Sequence, residues 1–276
     1  MKMQRRTFLA SLPLMAAAGC RKQTTGDDKT IKFIMSDIGF NGELVPIIKR
    51  HVEAQGFTFQ WMVVNDIILP NEMVDSGQAD ANAFQHEPYF NQFVQDHGLH
   101  NIERAFYTAY IPSGLYSKKY KSLAEVPDGA LIAVPVDPAN NGRALFMLRD
   151  HGLIGLRPGV EVVHASFDDI TDNPHNFRFL QVDQLMLGRT YQDVDVAFLF
   201  ALYAKLNGLD PIKDALAIET SDPTKSPYKN IVAVTKGLSG TPKIKALQNA
   251  YFSDEVKTFY RGKYGDTIQF LDKLNA

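Results

Sequence analysis

The stretch Asp137-Pro138-Ala139-Asn140-Asn141-Gly142-Arg143-Ala144-Leu145 brings an acid, two amides and a guanidinium to one loop-to-helix junction. Pro138 disfavours helix at Asp137, and Asn140 or Asn141 is a good N-cap. Together they predict a helix over 142–150 with Arg143 in its first turn. A cation there opposes the helix dipole unless it holds an anion. The junction therefore reads as a receptor for a carboxylate or phosphate, built from the guanidinium and the free N–H groups of the turn. The competing reading of Arg143 is a solvated helix flank. A second junction, Asp80-Ala81-Asn82-Ala83-Phe84-Gln85-His86-Glu87-Pro88-Tyr89, sets Phe84, His86 and Tyr89 among polar groups where a helix begins. By itself, an aromatic cluster with one histidine belongs more often to a core than to a site.

Catalytic signatures are missing. Gly-x-Ser-x-Gly and His-Glu-x-x-His do not occur, which removes two hydrolase motifs. His51, His86, His97, His100, His151, His164 and His175 are scattered, and His97-x-x-His100 alone is poor metal-ligand spacing. The one cysteine, Cys20, follows a basic stretch (Lys2, Arg5, Arg6), an apolar run over 7–18, and the small residues Ala17-Ala18-Gly19. That pattern is a signal peptide over 1–19, too short to span a bilayer as a finished helix. A cysteine just after the small residues resembles a bacterial lipobox, although leucine is commoner where Ala17 stands. The resemblance implies lipidation at Cys20 and a mature chain that begins there. Gln4-Arg5-Arg6-Thr7-Phe8-Leu9 resembles the twin-arginine export signal; the other reading is a plain Sec leader containing Arg-Arg.

Removing residues 1–19 takes away three positive charges and no negative ones, so the formal charge moves from −2 to −5. A mildly acidic mature chain offers no electrostatic case for nucleic acid or anionic lipid. Membrane attachment then rests on acyl chains. With no second cysteine there is no disulfide, and stability has to come from burial.

The elements that must carry the junctions follow from periodicity. Residues 21–28 are polar and read as a tether. Ile31, Phe33 and Met35 alternate as a strand. Leu44, Ile47, Ile48 and Val52 give helical spacing over 43–55, and Phe57, Phe59, Trp61 and Val63 alternate again. Strand, helix, strand is a βαβ unit, pointing to a parallel sheet covered by helices. Further strands are expected over 130–134, 160–163, 194–200 and 230–234, the last being the final strand of the chain. Helices are expected over 183–188, 201–206, 243–251 and 254–260.

At the two junctions the chain resembles the NlpA family, the methionine-binding lipoproteins of ABC importers. Asp80-Ala81-Asn82 with Phe84-Gln85-His86, Gly114-Leu115-Tyr116-Ser117-Lys118, Asp137-Pro138-Ala139-Asn140 with Gly142-Arg143-Ala144-Leu145, and Ser226-Pro227-Tyr228-Lys229-Asn230-Ile231 stand in the family's order. The resemblance runs from about Ile31 to the C-terminus. It implies a two-lobed periplasmic-binding-protein fold, each lobe an open, mostly parallel α/β sheet flanked by helices, with the ligand in the cleft. It implies that Arg143 and Asn140 hold the ligand carboxylate, that Asn230 faces its amino group, and that Phe84 and His86 line the side-chain pocket. Three positions depart from the pattern. Phe200 stands where the family carries an asparagine, Ile67 stands where it carries a tyrosine, and Gly39-Phe40-Asn41 replaces Gly-Pro-His. These changes imply weaker binding of free methionine and an altered far end of the pocket; the other reading is drift within an unchanged specificity.

The expectation is a non-enzymatic substrate-binding lipoprotein with no cofactor and no metal. Lobe 1 is expected over 30–113 plus 226–276, lobe 2 over 114–225, and a lipidated tether over 20–29. Its partners are a small zwitterion or carboxylate, an ABC permease with its ATPase, and a membrane reached through the lipid, with the protein itself a monomer. It would face the periplasm or exterior. The competing classes are an exported hydrolase-type enzyme and a metal-binding lipoprotein.

Overall fold

The computed structural model describes residues 29–36, 41–219 and 222–275; Cys20, the leader, the tether up to residue 28 and the Gly39-Phe40 departure lie outside them. Alternating apolar residues form β1 (Thr30–Ser36), with Ile31, Phe33 and Met35 at 3% exposure or less. Helix α1 (Asn41–Glu53) turns Leu44, Val45, Ile48 and Val52 onto that strand, and β2 (Thr58–Val64) returns parallel to β1 with Phe33 opposite Trp61. Burying each such side chain contributes about 1.5–3 kcal/mol, so this unit is the anchor of the first lobe. The chain continues through α2 (Leu69–Asp75), β3 (Ala81–Asn82), α3 (Glu87–His97) and β4 (Ile102–Tyr110).

It then crosses to a second sheet: β5 (Ser113–Tyr116), β6 (Leu131–Pro135), α4 (Pro138–Asp150), the small pair β7 (Gly155–Leu156) and β8 (Ile170–Asp172), β9 (Arg178–Val182), α5 (Leu187–Thr190), β10 (Val196–Phe200), α6 (Ala201–Leu206) and β11 (Ala215–Ile218). It returns through β12 (Lys229–Thr235) and ends with α7 (Pro242–Tyr251), α8 (Asp254–Tyr264) and β13 (Gln269–Phe270). The first sheet has the order β13-β4-β12-β3-β1-β2 and the second β11-β5-β10-β6-β9. Each is the centre of one lobe of a periplasmic-binding-protein fold.

Four of the six strands of the first sheet run in one direction, with β12 and β13 against them, and four of the five strands of the second do so, with β5 against them. Residues 160–163 form no strand. Pro158-Gly159 leads into a 3-10 turn at Val162–His164 that packs across α4. Gln184–Met186 is likewise a 3-10 turn, followed by α5, where one helix over 183–188 was expected. Strand β9 has no clean alternation, being an edge strand with two of its five residues half-buried and three exposed, so its sequence carried little signal. β13 follows β12, which is therefore not the last strand.

Candidate functional site

Helix α4 begins four residues earlier than the sequence reading placed it. Pro138 takes the first helical position, where its missing N–H is no loss and its fixed φ is helical. Asp137 is the N-cap, and its carboxylate accepts from the Asn140 N–H at 3.0 Å. Arg143 is therefore the sixth helical residue, in the second turn, and the N-terminal N–H groups do not converge with its guanidinium on an anion.

What faces Arg143 is a carboxylate of the protein itself. Its Nε donates to Glu219 Oε1 at 2.6 Å and Nη2 to Glu219 Oε2 at 2.5 Å, with a further bond from Nη2 to the Ile111 carbonyl at 3.2 Å. Glu219 also accepts from the Ser113 N–H at 3.0 Å and the Tyr110 hydroxyl at 3.3 Å. The two side chains are 2% and 11% exposed. The Tyr228 ring lies 4.0 Å from the guanidinium carbon, a cation–π contact in a dry setting. Burial alone would depress the arginine pKa, and the Glu219 charge raises it above its ordinary value. The edge carrying Nη1 makes no hydrogen bond to a described residue. Arg143 is thus fixed in place by one edge, with its Nη1 edge unengaged by the described residues.

His86 caps α3 with an extended backbone, and its Nδ1 accepts from the Tyr89 N–H at 3.1 Å. A ring nitrogen that accepts carries no proton, so in the neutral ring the proton sits on Nε2. That nitrogen donates to Asn140 Oδ1 at 2.8 Å, and Asn140 Nδ2 donates to Asp137 Oδ1 at 3.0 Å. The relay joins lobe 1 to lobe 2. Burial, then the Arg143 charge, push the His86 pKa down to about 3. Burial raises the Asp137 carboxyl to about 6; although the residue is half-buried as a whole, its Oδ2 is shut away without a partner among the described residues.

These two groups act oppositely on stability. The contribution of His86 is full above its unfolded value of 6.5 and is lost as pH falls toward 3. That of Asp137 is full below 3.8 and is lost as pH rises through about 6. From about pH 7.5 to about pH 5, His86 should cost about 2 kcal/mol and Asp137 return about 1 kcal/mol. Wild type should therefore lose only about 1 kcal/mol. Asp137→Asn keeps a capping oxygen and removes the compensation, so the variant should lose about 2 kcal/mol over the same range. Urea denaturation at the two pH values reads the difference. Parallel pH profiles for the two proteins would show that the two titrations are not coupled to folding in this way.

Between the sheets lies a cavity of about 70 Å³, walled by Phe84, His86, Asn140, Arg143, Phe200 and Asn230, six of the seven ligand residues expected from sequence. Asn230 donates from Nδ2 to the Ala109 carbonyl at 3.2 Å and keeps Oδ1 unengaged. Phe200 closes β10, stands edge-on to Phe198 and Tyr203, and leaves α6 without a side-chain cap. Ile67 does not line the cavity. Its side chain packs with Tyr89, Phe93 and Ala139, and its carbonyl accepts from the Tyr89 hydroxyl at 3.1 Å. Its replacement of an aromatic therefore alters the support under Tyr89, not a ligand contact. Asn82 and Gln85, from the same motif as His86, use their amides on each other and on Asn71. Sequence reasoning missed Glu219, Gln184, Leu202 and Tyr203. Glu219 lies 76 positions from its partner, with no local signal to mark it.

The chain matches the model of the family described as NlpA lipoprotein over residues 38–270. It is 36% identical to the D-methionine-binding lipoprotein MetQ of Salmonella typhi, the alignment covering 88% of each chain. It is 34% identical to the methionine-binding lipoprotein MetQ of Bacillus subtilis, covering 96% of this chain and 98% of that one. Among solved structures, a nutrient binding protein from Burkholderia cenocepacia bound to methionine superposes with a TM-score of 0.80 at 37% identity, over 87% of this chain and 99% of that one. An ABC transporter periplasmic substrate-binding protein from Coxiella burnetii gives a TM-score of 0.79 at 33% identity, over 87% and 100%.

Proposed function

The chain belongs to the NlpA lipoprotein family, and on that ground we propose that it is the substrate-binding lipoprotein of an ABC importer. It captures a small amino acid, methionine or a relative of it, and hands it to a membrane permease. One observation supports this above the others: a cavity between the lobes into which Arg143 turns while Glu219 holds its opposite edge. A ligand carboxylate would take the unengaged Nη1 donors and the second N–H of Asn140 Nδ2. Its ammonium would take Asn230 Oδ1. Phe84, Tyr89, Phe200 and Tyr203 would cover the side chain. No bond of the solute is broken.

The mechanism is closure about the two crossings, Tyr110 to Ser113 and Ile218 to Lys229. A ligand that touches Arg143 and Asn140 from one lobe and His86 and Asn230 from the other stabilises the closed form, which is what the permease reads. Cys20 would hold the protein to the membrane by its lipid, so that the globule waits beside its permease.

Native mass spectrometry of the freshly purified mature protein should show a retained small solute, and calorimetry should measure its binding. Arg143→Lys keeps the charge opposite Glu219 and loses the planar fork. It should fold normally and bind at least ~10-fold more weakly, about 1.4 kcal/mol. In the same assay, Phe200→Asn should strengthen L-methionine binding by returning a polar group to the wall. Equal amino-acid affinity in wild type and Arg143→Lys would defeat the carboxylate-clamp reading.

A further inference from the structure

Gln184 opens the 3-10 turn after β9, with Asp183 as its cap accepting from the Leu185 N–H at 2.8 Å. It is 8% exposed and lines the same cavity as Arg143. Its side-chain amide makes no hydrogen bond to any described residue. The contrast with its neighbours is sharp. Gln85 is tied to Asn71 and Asn82, Asn140 to His86 and Asp137, and Asn230 to the Ala109 carbonyl. A primary amide carries two donors and an acceptor oxygen. Neither end of the Gln184 amide is among the side-chain atoms shut away from the surface without a partner, so the amide stands open to the cavity it lines, where a polar group of the solute can meet it.

Position says what the amide is for. Val182, two residues before Gln184, pairs with Pro135 and accepts from the Val136 N–H at 2.9 Å, which sets the Gln184 turn beside Asp137 at the start of α4. Arg143 is six residues beyond Asp137 along α4, about 9 Å at 1.5 Å per residue. The cavity therefore has two poles, with the guanidinium at one and Gln184 near the other. Arg143 is the only arginine or lysine lining the cavity among the described residues, and no carboxylate lines it there. At the far pole an anionic tip therefore meets no cation and a cationic tip no carboxylate. A thioether is only a weak acceptor and would leave the amide unmet.

Taking the amino-acid-binding reading above as its basis, we propose that Gln184 is a specificity-determining residue that hydrogen-bonds an uncharged polar group at the tip of the solute's side chain. L-Methionine sulfoxide and L-methionine are suitable probes, because they differ by one oxygen, a strong acceptor on an otherwise similar chain. A site built around a hydrogen bond rejects the analogue lacking the group far more strongly than an apolar wall rejects a polar one. Calorimetry on the mature protein should give at least tenfold tighter binding of the sulfoxide. Gln184→Leu should bring the ratio to about one or reverse it by tightening methionine.

L-Glutamine should exceed L-norleucine in wild type and lose that advantage in Gln184→Leu. L-Glutamate and L-ornithine test the charged tips, and either one binding more tightly than both neutral polar probes overturns the proposal. So does a wild-type preference for methionine, or a sulfoxide-to-methionine ratio that is the same in Gln184→Leu. An Arg143→Lys arm separates the two levels. If all probes weaken there while the ratio ignores Gln184, only the role of Gln184 falls. If no probe binds, or none responds to Arg143→Lys, the amino-acid reading falls and takes this one with it.

Discussion

Truncating Glu219 to alanine should cost the folded protein about 3–5 kcal/mol, because it strands the nearly buried Arg143 charge without its partner. The side chains of the pair are 2% and 11% exposed, and their two bonds at 2.6 and 2.5 Å are joined by bonds to Ser113, Tyr110 and Ile111. Such a pair resists loss of one partner more than loss of both. Arg143→Ala should be as damaging as Glu219→Ala. The double replacement Arg143→Met with Glu219→Leu should return stability to within ~1 kcal/mol of wild type and still fail to bind an amino acid. Chemical denaturation measures the first effect and calorimetry the second. A Glu219→Ala protein within ~1 kcal/mol of wild type would mean that the pair is hydrated in solution. The functional point is one of order. Glu219 lies just past β11 at the lobe crossing, so the residue that pairs with the guanidinium also ties it to that crossing.

What the residues revealed in advance was the part written in local pattern. The β1-α1-β2 unit was legible because Ile31, Phe33 and Met35 alternate and Leu44, Ile48 and Val52 recur at helical spacing. Arg143 was legible as an anomaly, a cation near the start of a helix. The reason given for it was wrong, however. Local rules placed the cap at Asn140 or Asn141, whereas Pro138 and Asp137 start the helix one turn earlier. The partner that makes a buried arginine tolerable comes from the end of β11, and pairing over that distance leaves no trace in spacing. Ile67, expected at the wall because it stands where the resembled family carries a tyrosine, packs instead with Tyr89, Phe93 and Ala139 and does not line the cavity. Gln184 sits in a short 3-10 turn where local pattern pointed to a helix, and only the cavity lining brings it to the site.

Gly142→Ala should weaken solute binding at least ~100-fold while changing a single hydrogen to a methyl group. A Cβ on Gly142 would lie 1.6 Å from the Val162 carbonyl oxygen and 3.4 Å from the Ala165 Cβ. The first distance is shorter than any contact atoms can make, and the obstacle is backbone, not a mobile side-chain tip. Either α4 or the 162–164 turn must move by more than an ångström. Overpacking of this kind costs about 1–3 kcal/mol and sometimes more, which a protein of this size can survive. The position of the helix is the greater casualty. Asn140 and Arg143 flank Gly142 on the same helix, so a shift of α4 breaks the His86–Asn140 bond and turns the guanidinium from Glu219. Misplacing positioned groups by about 1 Å commonly costs on the order of 100-fold. Calorimetry should therefore find affinity reduced at least ~100-fold in a protein that still unfolds cooperatively. Gly262→Ala is the matched control, because a Cβ there meets nothing within 4 Å and alanine favours the helix by about 1 kcal/mol. Should Gly142→Ala bind as wild type does, the turn at 162–164 yields freely and α4 is not held in register by it.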